Sequence, residues 1–158
     1  MSITKLTRSA LLLAIAGSAA CLDTGAPEER SIEETTFASS LGVDLAASTK
    51  TPNGAYYRDI VPGTGTSSVT GQKLGVRYTG WLSDGTEFDS NLTKPDPLVF
   101  QLGSQDVIPG FDEAMLGARL GSRRQLIVPP SLGYGPFPFG SIPGNSVLVF
   151  NVEVLSVQ

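Results

Sequence analysis

The sequence predicts an α+β domain in which an antiparallel β-sheet packs on one short helix. Three observations point there. Eighteen Gly and 11 Pro among 158 residues break the chain into short elements. Several runs alternate apolar and polar residues, which is the period of a half-buried strand. One stretch, residues 111–118, has the spacing and terminal charges of a helix.

Taken in order, Pro52–Asn53–Gly54 marks a turn, AYYRDIV (55–61) reads as a strand, and Pro62–Gly63–Thr64–Gly65 turns the chain again. In LGVRYTGWL (74–82), Leu74, Val76, Tyr78 and Leu82 share one face, and Arg77, Thr79 and Trp81 the other. Ser83–Asp84–Gly85–Thr86 forms a turn. EFDS (87–90) follows, then a gap bounded by prolines, then the strand-like LVFQL (98–102). In FDEAMLGA (111–118), Asp112 and Glu113 lie in the first turn, where the helix dipole favours acids. Phe111 and Met115 meet at four residues' spacing, Gly110 precedes the helix, and Gly117 weakens its end. Arg123 to Val128 returns to strand. The clearest strand is Val147 to Val157: Leu148, Phe150, Val152 and Val154 make an apolar face, and Asn151 and Glu153 mark the other. A sheet wrapped on the single helix buries one face of each.

The length suits one compact domain plus an appendage. The absence of histidine excludes a His-containing triad, His metal ligands and imidazole acid–base chemistry. A single cysteine excludes an intrachain disulfide, zinc ribbons and iron–sulfur clusters. A formal charge of −4 gives no basic footprint for nucleic acid. Carboxylates, hydroxyls, amides and apolar surface remain.

Lys5 and Arg8 begin the chain, and SALLLAIAGSAA (9–20) follows. This apolar run is too short for an ordinary membrane span and fits a signal peptide over residues 1–20. Ala19–Ala20–Cys21 resembles the lipobox of bacterial lipoproteins, although Ser18 stands where Leu is usual. Cleavage after Ala20 without lipid leaves a free thiol at the new N-terminus; because the only cysteine stands at the cleavage point, lipid attachment to Cys21 is the expectation. The chain is then exported to the cell envelope and anchored to a membrane through that lipid, facing the periplasm or cell surface. Residues 1–20 hold two basic residues and no acid, so removing them takes the net charge from −4 to about −6. Residues 21–51 are acidic and Ser/Thr-rich and read as a flexible tether, with 41–47 able to form a helical turn or to pack on the domain. The domain proper is expected over 52–158.

VRYTGWLSDGTEFDS (76–90), PLVFQLGSQDVIPGFDEAMLGARLG (97–121), LGYG (132–135) and IPGNSVLVFNVEVL (142–155) occur in that order. Together they resemble the FKBP family, the macrolide-binding peptidyl-prolyl cis–trans isomerases, across about residues 55–157. The resemblance implies a curved antiparallel sheet wrapped around one short α-helix, with the active site between them. It implies an enzyme that rotates X-Pro bonds without cofactor or metal. Its partners are then proline-containing polypeptide clients and macrolide inhibitors, with no nucleic acid, and the chain is a monomer. A non-catalytic module that holds proline-containing segments, or a holdase, is the alternative use of the same pocket.

Composition alone makes Tyr78, Phe88, Phe100, Phe111, Tyr134 and Phe150 ordinary core aromatics. The resemblance instead places Tyr78, Phe88, Phe111, Tyr134 and Phe150 around one apolar substrate pocket with Leu98, Val107 and Ile108. Ile142 is expected on its rim, and Phe100 stays in the core. By itself Asp89 reads as a turn aspartate; the family puts the matching acid inside the pocket mouth. The resemblance assigns catalysis to Asp89, to the Tyr134 hydroxyl and to the Ile108 N–H, the last two as hydrogen-bond donors to substrate. Asp106 matches an acid whose backbone carbonyl contacts macrolides. Three departures stand out: Phe111 replaces the tryptophan common at the pocket floor, Leu98 replaces a frequent rim aromatic, and GPFPFGSIPGNS (135–146) is unusually rich in Pro and Phe.

Overall fold

The computed structural model describes residues 30–158. The proposed signal peptide and Cys21 lie outside the described residues. Within them the elements are β1 (Thr49–Lys50), β2 (Tyr56–Val61), β3 (Lys73–Leu82), β4 (Glu87–Ser90), β5 (Leu98–Gln101), α1 (Pro109–Met115), β6 (Arg123–Val128) and β7 (Leu148–Val157). Short 3₁₀ turns lie at Ser39–Leu41 and Pro130–Leu132. The strands form one sheet in the order β1-β2-β6-β7-β3-β4, and β5 also pairs with β3. Every pairing is antiparallel. The fold is the α+β class expected, a curved antiparallel sheet with one helix.

The register slips between Asp59 and Val61, between Gly75 and Val76, and between Gly80 and Trp81. Such bulges bend a strand and raise its twist, which suits a sheet that must curve around a helix. The concave face carries Leu74, Val76, Leu126, Val128, Leu148, Phe150, Val152 and Val154, all buried. Against it α1 packs Phe111, Ala114 and Met115. Gly110 permits this approach, because a Cβ there would lie 2.4 Å from Val128 Cγ1.

The helix starts at Pro109 and ends at Met115, two residues earlier at its start and three at its end than expected. Proline suits the first helical position, where its missing N–H is not needed. Leu116 is extended and Gly117 has φ +74°, so the chain leaves the helix before the expected end. Arg124, 3% exposed, ties α1 to the sheet. It donates to the Ala114 and Leu116 carbonyls at 3.0 and 3.1 Å, pairs with both oxygens of Asp59 at 2.7 and 3.0 Å, and stacks on the Tyr57 ring.

The expected free tether does not describe residues 30–51. This stretch lies on the convex side of the sheet, where Ile32 is buried with Ile127 and Val147, and Phe37, Val43, Leu45 and Tyr56 pack around them. Gln125 donates to the Leu41 carbonyl at 2.8 Å, Arg58 to the Gly42 carbonyl at 2.8 Å, and Ala38 N–H to the Ser83 carbonyl at 2.8 Å. Glu33 accepts from Lys50 and from the Tyr56 hydroxyl, each at 2.6 Å. The physical reason lies in the sheet. Ile127 is apolar on the opposite face from Leu126 and Val128, so β6 buries both faces and the convex side requires cover.

Candidate active site

The cavity opens between α1 and the concave face of the sheet. Its volume is about 450 Å³, and its walls are Tyr78, Phe88, Asp89, Leu98, Asp106, Val107, Ile108, Phe111, Tyr134 and Phe150. Each wall residue comes from a different constraint. Tyr78 and Phe150 face the helix from neighbouring strands β3 and β7. Phe88 comes from β4, and its ring meets Phe150 edge-on at 5.6 Å. Gly80 makes room for that contact, because a Cβ there would lie 2.7 Å from the Phe88 ring and 2.8 Å from Phe150. Phe111 is the hub at the cavity floor. It meets Tyr78, Phe100 and Phe150 edge-on at 6.2, 5.6 and 5.4 Å, geometries that favour aromatic pairs. Phe100 stays behind it in the core, 2% exposed.

Polar groups stand among these apolar walls. The Tyr78 hydroxyl donates to Asp89 Oδ2. Burial, and then the bond to Asp89, push the Tyr78 pKa well up, and burial followed by the Asp89 charge raises that of Tyr134. Both hydroxyls therefore remain protonated donors far into alkaline pH. Ile108 precedes α1; its carbonyl accepts from the Phe111 and Asp112 N–H groups at 3.0 and 3.1 Å. Among the described residues the Ile108 N–H itself has no acceptor. Asp106 turns its carboxylate to the Gln101 N–H at 3.1 Å, and hydrogen bonds from Ser104 and Gln101 hold its pKa below the usual value.

Nine of the ten expected pocket and donor residues line this cavity together. Ile142 is the exception: it is 5% exposed, belongs to the main core, and does not reach the cavity wall. Its loop folds back, and the backbones of Phe139 and Ile142 exchange two hydrogen bonds of 2.9 Å. Four further residues shape the site. Lys94 lies 3.8 Å from Asp89 Oδ1. Arg77 donates to the carbonyls of Asn91, Lys94, Pro95 and Asp96 at 2.8–3.0 Å, so it holds the loop between β4 and Leu98. Asn91, 2% exposed, pairs with the backbone of Tyr78 and Val76. The Phe139 ring stacks on Tyr134. The loop positions 91 and 94 carried only the signal of a proline-bounded gap, and Phe139 that of an unusual aromatic loop.

Aromatic walls, a carboxylate held by a tyrosine, and two hydrogen-bond donors suit an uncharged, apolar group with a carbonyl attached. Comparison with known proteins agrees with this geometry. Residues 65–155 match the model of the FKBP-type peptidyl-prolyl cis–trans isomerases. The chain belongs to that family. It is 42% identical over 105 residues to an FK506-binding protein of Neisseria meningitidis, covering 66% of this chain and 96% of that one. It is 37% identical over 132 residues to FK506-binding protein 4 of Mycosarcoma maydis, covering 84% of this chain but only 34% of the relative. The crystal structure of FkpA from Escherichia coli superposes with a TM-score of 0.64 at 37% identity, covering 71% of this chain and 52% of that one.

Proposed function

We propose that this chain accelerates cis–trans isomerisation of X-Pro bonds in exported polypeptides, using the cavity between α1 and the sheet. The single observation that carries the reading is the pairing of an aromatic cavity with two donors, the Ile108 N–H and the Tyr134 hydroxyl. Amide resonance sets a barrier of about 18–20 kcal/mol, so X-Pro bonds equilibrate over roughly tens to hundreds of seconds. The transition state is a twisted amide that has lost much of that resonance and polarity. The dry walls of Tyr78, Phe88, Phe111 and Phe150 disfavour the polar planar form relative to the twisted one. They also grip the proline ring while the preceding residue turns, with Leu98 and Val107 closing the sides. The Ile108 N–H and Tyr134 hydroxyl donate to the rotating carbonyl. Asp89 tunes the field at the wall through Tyr78 and takes no proton. An acceleration of ~10⁵ requires only about 7 kcal/mol of differential stabilisation, and no bond to the enzyme forms.

The same cavity is proposed to bind macrolides of the FK506 type, with Asp106 and Ile108 presenting backbone groups. The chain acts as a monomer. We further propose a signal peptide over 1–20 and a lipid on Cys21 that anchors the chain at a membrane of the cell envelope; Cys21→Ser is expected to abolish fatty-acid labelling and membrane association, and a wild-type chain released unlabelled would overturn this. The function itself is tested by a protease-coupled assay on short X-Pro peptides. Acceleration that a macrolide blocks is expected. Peptide binding without acceleration would instead make the chain a proline-segment binding module or holdase.

A further inference from the structure

Tyr134 sits in a loop, and its main-chain surroundings do not fix the direction of its ring. It follows the 3₁₀ turn Pro130–Leu132 and is flanked by Gly133 and Gly135. A donor that must meet a moving carbonyl needs its ring held, because small displacements at a reacting centre cost rate. The structure supplies a support from the same loop. Phe139 lies parallel to Tyr134, with ring centroids 4.7 Å apart and an interplanar angle of 9°. Phe139 is not among the residues that line the cavity, and its ring contact with the site is the one to Tyr134.

The support is itself anchored. Phe139 and Ile142 exchange two backbone hydrogen bonds of 2.9 Å across a tight turn, Gly140–Ser141, in which Gly140 takes φ +58°. The Ile142 side chain is buried in the main core. The Asn145 N–H also donates to the Gly135 carbonyl at 3.0 Å, closing the loop behind Tyr134. Core contact therefore passes from Ile142 to the Phe139 backbone, and from the Phe139 ring to the Tyr134 ring. Phe139 remains 60% exposed, so burial of its own surface does not explain its place.

We infer that Phe139 is a positioning residue for the isomerase reaction: its ring, mounted on the Ile142 bridge, holds the Tyr134 ring so that its hydroxyl meets the substrate carbonyl. This rests on the isomerase reading above. The proposal also explains why Ile142 lies in the core and not at the cavity wall.

The test is a double-mutant cycle on the full chain, read as kcat/KM on a short X-Pro peptide. Phe139→Ala is expected to lower kcat/KM about three- to tenfold, mainly in kcat, because a ring–ring contact is lost. Phe139→Tyr, which keeps the stack, restores the rate. In a Tyr134→Ala background Phe139→Ala has no further effect. Carbon-13 labelling of the tyrosine rings gives a readout independent of rate: the Tyr134 signal shifts when Phe139 is replaced by Leu and keeps its position in Phe139→Tyr. An active wild type indifferent to Phe139→Ala, or an equal loss in both backgrounds, overturns the proposal and leaves the isomerase reading standing. A folded wild type that does not accelerate the peptide overturns both.

Discussion

The Tyr78 hydroxyl donates to Asp89, and this bond joins β3 to β4 at the wall of the cavity. Asp89 Oδ1 also accepts from the Ser90 N–H at 2.8 Å, and Lys94 stands 3.8 Å away. The carboxylate is thus held on three sides, while the Tyr134 hydroxyl is held only through its ring.

This difference orders two substitutions. Asp89→Val strands the Tyr78 hydroxyl and leaves Lys94 unpaired beside the cavity, so kcat/KM falls by about tenfold or more. Tyr134→Phe removes one of two donors and costs about 1 kcal/mol or less, roughly fivefold. Steady-state rates on one peptide, with circular dichroism to confirm folding, compare them. Equal rates for both variants and wild type would show that neither group serves the reaction.

The reaction is expected to be flat in pH from about 6 to 9. The chain has no histidine, and Tyr78 and Tyr134 are both shifted upward, away from this window. A bell-shaped profile within it would require a titrating group that the site lacks.

Acid is expected to loosen the convex side first. Hydrogen bonds from Lys50 and Tyr56 lower the Glu33 pKa from 4.5 to about 2. A group whose folded pKa is depressed contributes stability that is present above its unfolded value. That contribution is lost as pH falls from about 4.5 toward 2. Glu33 is half exposed, so salt weakens the effect. Glu33→Gln removes this part of the acid sensitivity, which a series of urea melts from pH 6 to 3 measures.

Truncation tests whether residues 30–51 belong to the folded unit. Cutting at residue 52 uncovers Ile127 and Val147 and deletes the buried Ile32 and Leu41. At about 1.5–3 kcal/mol for each fully buried aliphatic side chain, the shorter chain loses roughly 3 kcal/mol or more against one that starts at residue 30. Identical urea midpoints would return this segment to the status of a tether.

Arg124→Ala is expected to cost about 3 kcal/mol, because it leaves Asp59 without its partner and two helix-end carbonyls without donors. The helix that carries Phe111 then loses its tie to β2 and β6. Chemical denaturation measures the loss, and a change under 0.5 kcal/mol would contradict this role.

Much of the fold was legible because apolar residues at period 2, Leu74, Val76 and Tyr78 in β3 and Leu148, Phe150, Val152 and Val154 in β7, mark the face that meets the helix. The cavity wall was legible through the resemblance: taken alone, Tyr78, Phe111 and Phe150 look like any core aromatics. Residues 30–51 misled because their apolar residues, Ile32, Leu41, Val43 and Leu45, follow no regular period and are diluted by acids and hydroxyls. They are ordered by the convex face of β6, which is a tertiary demand and leaves no local mark. Ile142 was expected on the rim because a loop position beside the cavity can turn either way; in the fold its side chain is buried in the core, and its backbone pairs with Phe139. The supports Arg77, Asn91 and Lys94 went unseen for the same reason: they act across 5 to 19 residues through backbone carbonyls and one carboxylate.

The central claim is that the cavity itself rotates the X-Pro bond. Exchange NMR on a short X-Pro peptide with a catalytic amount of the full chain tests this without a coupling protease. Uncatalysed exchange takes roughly tens to hundreds of seconds, so cis–trans cross-peaks at sub-second mixing times require catalysis. Those cross-peaks are expected, as is their loss when a macrolide fills the cavity. Peptide signals that shift on binding while the cross-peaks stay absent would contradict it.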